Sequence, residues 1–377
     1  MENALKMIEE FQIPIVKIDP KRGYWLIRTQ AGLYFDEFHL DQFIGVGWNE
    51  FNEPGHFKES NKERTMETIK DTLEDVQAWR VFTQLKRFFH EIKVGDIVMI
   101  PSVNSTHIIF GEVMSDVYFE EITEETIEEE TCPYEKRRKV KWIKSVKRKS
   151  LDPYLYRMMQ SHFSISNASE YADAIDRTLH SFYYKGDQAH LILKVEQEND
   201  IPLLDLLDAL QAPLALVDVI NELDPGSSNF NKRDLDAKLR VQSPGMIELA
   251  SAGPAFALVA ILGMVIVAIV GGNLSFKKTK QNGDQTEGAL QTEGLYEKLL
   301  KWRHQSHKID MDKKMLEVDD ATFSRMMAIQ SQLNRATETL KMELPIELTN
   351  LENETDIGTT EIVVVEESVV EESDIVD

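Results

Sequence analysis

Two tryptophans that close short apolar runs, Trp25 and Trp48, and a basic run at Lys136–Lys149 are the residues of this chain whose types and spacing could do chemistry. A nucleobase lifted out of its stack needs an aromatic face to lie on, hydrogen-bonding groups along its edge, and cations for the flanking phosphates. Trp25 and Trp48 can supply the face, with Tyr24 and Phe110 behind them, and Arg28 and Asn49 can supply edge or phosphate contacts. The competing reading makes Trp25 and Phe110 ordinary core, and it stands open for Trp48, which follows Gly-Val-Gly and precedes Asn49-Glu50. The basic run has nine Lys or Arg in fourteen positions and no acid. On a strand, Arg137, Lys139 and Lys141 would line one face, with Arg138 and Lys144 as further candidates for the nucleic-acid backbone. Such a run could equally be a solvated edge that deters strand aggregation, or the partner of the Glu-rich run before it.

Other chemistry is hard to find. There is no Gly-rich phosphate loop of the Walker type and no G-x-S-x-G elbow. Cys132 sits beside Pro133 in a charged stretch, a poor setting for a nucleophile. His304 and His307, near Asp310 and Asp312, have a spacing that could present two ligands, but a solvated polar face explains them as well. No strand offers a carboxylate cluster with Glu-x-Lys for a nuclease metal. No catalytic residue, metal or cofactor is therefore assigned. The reading leans away from an enzyme, leaving open a site assembled from unconnected residues.

The totals set the frame for these elements. The chain has 377 residues, 42% hydrophobic and 28% charged, which suits two or three folded domains. Its net charge of −23 is unevenly placed: seven Glu crowd into Glu120–Glu130, and twelve acids but no cation follow Lys341. Local basic surface thus survives the average. One cysteine excludes an intrachain disulfide, and no apolar signal core follows Met1, so the N-terminal part is expected in a reducing cytoplasm.

Periodicity places the candidates. A strand is predicted from Tyr24, a turn at Ala31-Gly32, a short strand at Ile44–Trp48, helical pattern over 62–90, and strands at Glu91–Ser102 and His107–Val113. Further on, His190–Gln197 and Asp236–Gln242 read as strands, Pro202–Val219 and Asp319–Leu344 as helices, Leu295–Lys308 as a shorter helix, and Pro225–Ser228 as a turn. The acidic tail lacks aromatics and is expected to be disordered.

In this order the blocks Tyr24-Trp25-x-Ile27-Arg28-Thr29…Gly32, Ile44-Gly45-Val46-Gly47-Trp48, Glu91-Ile92-x-x-Gly95-Asp96-x-Val98 and Gly111-Glu112-Val113 carry a resemblance. With Arg137–Leu155 and Tyr171-Ala172-x-x-Ile175-Asp176 after them, they resemble an EVE/PUA-like domain of the kind fused to Mrr- and McrBC-type restriction systems and other bacterial defence proteins. The resemblance spans about residues 24–179 and implies a small β-barrel bent around a pocket for one flipped, often modified, base.

From Ala252 to Gly272 no side chain is charged or strongly polar, and ten of twenty-one are Leu, Ile, Val or Phe. A helix of that length would rise about 30 Å, enough to cross a hydrocarbon core. Gly253, Ala257, Ala260, Ala268 and Gly271 fall in one arc that would let membrane helices pack closely. A buried central helix or a buried oligomer interface competes with that reading. The expected fold is α+β: an EVE/PUA-like β-barrel reader with flanking helices over 1–184, a small α/β module over 185–250, and an apolar, membrane-type helix over 251–275. A linker and helical hairpin over 276–344 and a disordered acidic tail over 345–377 complete it. The expected function is bacterial antiviral defence, in which a cytoplasmic domain senses nucleic acid, DNA rather than RNA, and controls a homo-oligomeric effector helix anchored in the inner membrane through 252–272. The alternative is a soluble oligomeric adaptor, or specificity subunit, that recruits a separately encoded nuclease.

Overall fold

The computed structural model describes residues 15–73, 77–123, 131–223, 230–240, 245–270, 278–279, 285–286 and 320–345. The expected turn at Pro225–Ser228, the helix at Leu295–Lys308, His304, His307, Asp310, Asp312, Gly271 and nearly all of the acidic tail lie outside these residues.

The chain begins with β1 (Val16–Ile18), β2 (Tyr24–Ile27), α1 (Phe35–Leu40) and β3 (Phe43–Val46). Helices α2 (Lys62–Thr72) and α3 (Ala78–Lys86) follow, the latter running into a π-turn at Arg87–Glu91. Then come β4 (Ile97–Pro101), β5 (His107–Val113), the short β6 (Tyr118–Phe119), the long β7 (Lys136–Lys147), β8 (Ile165–Asn167) and α4 (Ala172–Leu179). The first sheet has the order β3-β7-β5-β4-β2-β8, with β6 beside β7. All four residues of β2 are buried because the sheet is covered on both faces. Successive side chains alternate sides. Trp25 and Ile27 enter the core inside the curl with α3, Phe57 and Phe88, while Tyr24 and Leu26 enter the core under α4. Among the described residues no ladder joins β3 to β8, so the expected closed barrel is a half-barrel.

The rest of the chain supplies β9 (Phe182–Lys185), β10 (Gln188–Val195), α5 (Leu203–Leu223), β11 (Asp236–Arg240), β12 (Gly245–Ala252), α6 (Phe256–Val270), α7 (Asp320–Leu340) and β13 (Met342–Glu343). A second sheet runs β1-β9-β10-β12-β11, with β13 on the end of β10. Alternate residues of its inner face, Phe182, Leu191, Leu193, Ile247 and Leu249, meet α5, α6 and α7 in one core.

This core overturns the membrane-helix expectation. The apolar segment gives a helix of 15 residues, about 22 Å long, because Gly253 (φ +58°) and Pro254 form a separate 3₁₀ turn before it. No described helix is long and apolar enough to cross a membrane. Phe256, Leu258, Val259, Ala260, Leu262 and Ile266 are fully buried within their own subunit. A helix that is apolar all round must be covered all round. Here the sheet covers one side, and α5 and α7 cover others. Of the expected packing stripe, Ala260 and the half-buried Ala257 pack in this core, and Gly253 lies in the preceding turn. Gly263 matters too: a Cβ there would stand 3.2 Å from the Phe182 ring, so its absence allows the helix to sit close on the sheet. Of the expected helical hairpin only the second helix, α7, is described. It is the third helix of this layer, clamped to α5 by the bidentate Arg325–Glu222 pair at 2.5 and 2.6 Å.

The outer face of the second sheet meets the half-barrel through polar groups. Tyr24 donates to the fully buried Asp176 at 2.6 Å, and Lys185 of β9 donates to the same carboxylate at 2.8 Å. Glu248 is 1% exposed and accepts from the His190 ring at 2.9 Å and Lys238 at 3.3 Å. Burial alone would raise its carboxyl, but the His190 bond and the Lys238 and Arg177 charges outweigh that and hold it below its ordinary value.

Candidate base-binding cavity

The end of β3 and the start of β8 leave between them a cavity of about 320 Å³, lined by Arg28, Gln30, Gly45, Val46, Gly47, Trp48, Tyr134 and Ser164. It therefore opens at the seam that a closed barrel would have sewn shut. Gly45 and Gly47 are glycine for a steric reason. A Cβ at either would lie 3.2 Å from Tyr134, so their bare backbone is what lets that ring lie against β3.

Trp48 turns out of the strand with φ +59°, a conformation that costs a bulky L-residue roughly 1–3 kcal/mol. Its carbonyl is held from two directions, by the Phe51 amide at 3.0 Å and by Lys136 Nζ at 2.9 Å. Lys136 also donates to Asn52 Oδ1 at 2.8 Å, and Asn52 in turn donates to Glu135. Fully buried, Lys136 has its pKa pushed down to about 8 by desolvation, against the opposing pull of Glu135 and Glu50.

Tyr134 is the second aromatic wall. Its hydroxyl donates to Gln30 Oε1 at 3.1 Å, and its ring meets Tyr34 edge-on at 5.3 Å between centroids. Burial raises its hydroxyl pKa, which keeps the phenol neutral. Arg137 props the segment that carries it, donating to Tyr134 O at 2.8 Å and Cys132 O at 3.0 Å while lying 4.3 Å over the Phe43 ring. Asn49 does the same from the other side, donating to Pro133 O at 2.7 Å. Arg28 is tethered to Met159 O and, at 2.7 Å, to Ser161 O. With Gln30 Oε1 engaged by Tyr134, the Gln30 amide presents its N–H donors, and the Arg28 guanidinium and Ser164 hydroxyl add more. The cavity is thus two aromatic faces and a donor-rich edge. That combination suits a flat ring bearing carbonyl acceptors.

Of the residues singled out in the sequence, Arg28 and Trp48 line this cavity, and Asn49 and Arg137 brace its wall. Trp25, Tyr24 and Phe110 do not reach it. Trp25 is 3% exposed and donates to Asp96 Oδ2 at 2.8 Å, while Tyr24 and Phe110 lie in the core under α4. Arg138 points inward, donating to Phe88 O at 3.1 and 2.9 Å and Ser115 O at 3.0 Å. Lys139 and Lys141 are exposed. Directly paired strand residues share a side. The bulge that skips Ile143 aligns Trp142 with Gly111 and Lys144 with Phe110, so Lys144 falls on the same side as Lys139 and Lys141. Tyr134, Gln30 and Ser164 escaped the sequence reading, and Lys136 entered it only as the first residue of the basic run. Cys132 is buried, and desolvation pushes its thiol up to about 11, so it is no nucleophile at neutral pH. Among the described residues no group of three or more His, Cys, Asp or Glu is placed to hold a metal ion.

Fold and cavity together define an α+β protein whose half-barrel carries a cleft of about 320 Å³ at its open seam. Residues 26–166, the half-barrel from β2 into β8, match a family described as "Domain of unknown function (DUF8426)". No curated protein and no solved structure matches the chain.

Proposed function

We propose that the half-barrel reads nucleic acid, DNA in preference to RNA, by taking one unstacked and in some cases modified base into the cavity between Trp48 and Tyr134. The observation that carries this is the pairing of two aromatic walls with the Arg28, Gln30 and Ser164 donors around a volume of about 320 Å³. The exposed Lys139 and Lys141 add cations for the phosphates on either side. The ordered sequence blocks that resemble EVE/PUA-like domains support the same reading. Within a defence system such a protein would act as a specificity subunit for a separately encoded nuclease.

Base–aromatic stacking contributes about 1–3 kcal/mol per base, so Trp48→Ala is expected to weaken oligonucleotide binding by roughly 5- to 150-fold. The assay is fluorescence anisotropy of the full chain with modified and unmodified oligonucleotides, in single and double strands, at fixed salt. Gln30→Ala should flatten any preference among bases while leaving the urea midpoint nearly unchanged. Base preference that survives Trp48→Ala removes the cavity from the account. Absence of binding to every oligonucleotide removes the function.

A further inference from the structure

A second cavity of about 260 Å³ lies where the half-barrel meets the second sheet, away from the base cleft and sharing none of its residues. The end of β7 lines it with Lys144 and Lys147, α4 with Arg177, β10 with Lys194 and β11 with Arg240. Five cations thus face two carboxylates, Asp152 and Glu196, in a chain whose net charge is −23. Asp152 is already committed, accepting both Nε and Nη2 of Arg177 at 3.1 and 2.6 Å. Lys144 is tied to Thr178 O at 2.8 Å and Lys194 to Glu343 at 3.1 Å, which fixes their ammonium groups in place. Arg240 is the least satisfied. Among the described residues its buried Nε has no hydrogen-bond partner, and its Nη2 makes a long contact of 3.4 Å to Leu151 O. A buried guanidinium N–H without an acceptor is costly, and guanidinium groups match phosphate oxygens well. Exposed Ser145 also lines the cleft.

We infer that this cleft is a phosphate site, in which Arg240, with Lys144 and Lys147 at the mouth, holds the oxygens of a phosphate group, while Arg177 stays paired with Asp152 behind it. The group can come from a free nucleotide or from the backbone of a bound strand, and the chemistry of the cleft is the same for both. The outward lysines of β7, Lys139 and Lys141, lie on the side of the strand that leads to Lys144, which gives a backbone a charged path to the cleft.

The full chain and its Arg240→Gln and Lys147→Gln variants are titrated calorimetrically with inorganic phosphate, with dAMP and with a short single-stranded oligodeoxynucleotide, the last at several salt concentrations. Binding of phosphate or dAMP that falls about tenfold in Arg240→Gln establishes the site with a free ligand. Binding of the oligonucleotide alone, with the slope of log K against log salt reduced by about 0.7 for each cation removed, establishes it as a backbone contact. Unchanged affinity for all three probes in both variants overturns the inference. Lys147 is exposed, so its variant keeps the test valid if Arg240→Gln fails to fold. Trp48→Ala leaves the inorganic phosphate titration unaltered, since that probe carries no base for the other cleft, so failure here and failure of the base-reading proposal are separate results.

Discussion

Lys136 anchors the base cleft, and its burial gives the protein a measurable pH signature. Its side chain is fully buried, its ammonium holds the Trp48 carbonyl and the Asn52 amide oxygen, and desolvation lowers its pKa from the ordinary 10.5 to about 8. Because the folded value is the lower one, the unfolded chain still holds the proton over a range in which the folded chain has released it. Stability from this group therefore rises with pH between about 8 and 10.5, and below pH 8 the whole cost of the buried charge is present. With these two values, the passage from pH 7 to pH 10 recovers roughly 2–3 kcal/mol. Lys136→Met has no such term. At pH 7 the variant is relieved of about 3 kcal/mol of desolvation and loses two charge-assisted hydrogen bonds of about 1.5–3 kcal/mol each, so it should lie within about 3 kcal/mol of the parent. The decisive quantity is the difference between the two chains across the pH series, measured by urea unfolding at pH 7, 8, 9 and 10, because alkaline groups common to both cancel. The parent should gain roughly 2–3 kcal/mol on the variant. If the two curves run parallel, the buried, charged Lys136 and the reason given for the Trp48 conformation are both wrong.

Three further outcomes follow from the geometry. Since Trp48 sits at φ +59°, Trp48→Gly should be more stable than Trp48→Ala by about 1 kcal/mol although both lose the ring, and equal urea midpoints would show that the backbone is not strained there. Gly47→Ala places a methyl 3.2 Å from Tyr134, so the ring must shift by a few tenths of an ångström. It should weaken oligonucleotide binding severalfold with a stability change of no more than about 1 kcal/mol, as read by anisotropy and urea unfolding. Leu262→Ala empties a fully buried position on α6 and should cost about 2–5 kcal/mol in urea unfolding without detergent; a change below about 0.5 kcal/mol would mean that α6 is not packed in its own subunit.

Much of the local structure was legible in the residues. The strand at His107–Val113 has the expected bounds, the helices at 203–223 and 320–340 fall close to those expected at 202–219 and 319–344, and the helical pattern over 62–90 is divided between helices at 62–72 and 78–86. The cavity was legible only in part. Gly-Val-Gly-Trp announces a close backbone approach beside an aromatic, but its partner Tyr134 is 86 residues further on and is brought there by the β3–β7 pairing. Trp25 and Trp48 look alike as text. One is sealed in the core by Asp96, while the other turns outward on a positive φ that Lys136 and Phe51 hold. The bulge at Ile143, which brings Lys144 onto the side of Lys139 and Lys141, has no signature in the basic run itself.

The amino-acid order by itself determined that the apolar residues now found in the helix at 256–270 had to be hidden from water, since their side chains offer water nothing to bind. What hides them was decided in three dimensions. Apolar burial has no direction, so lipid, a second copy, or a sheet and two helices of the same chain satisfy it equally well. The choice fell to β10, β12, α5 and α7, whose own apolar faces needed the same cover and which come from as far away as residue 340.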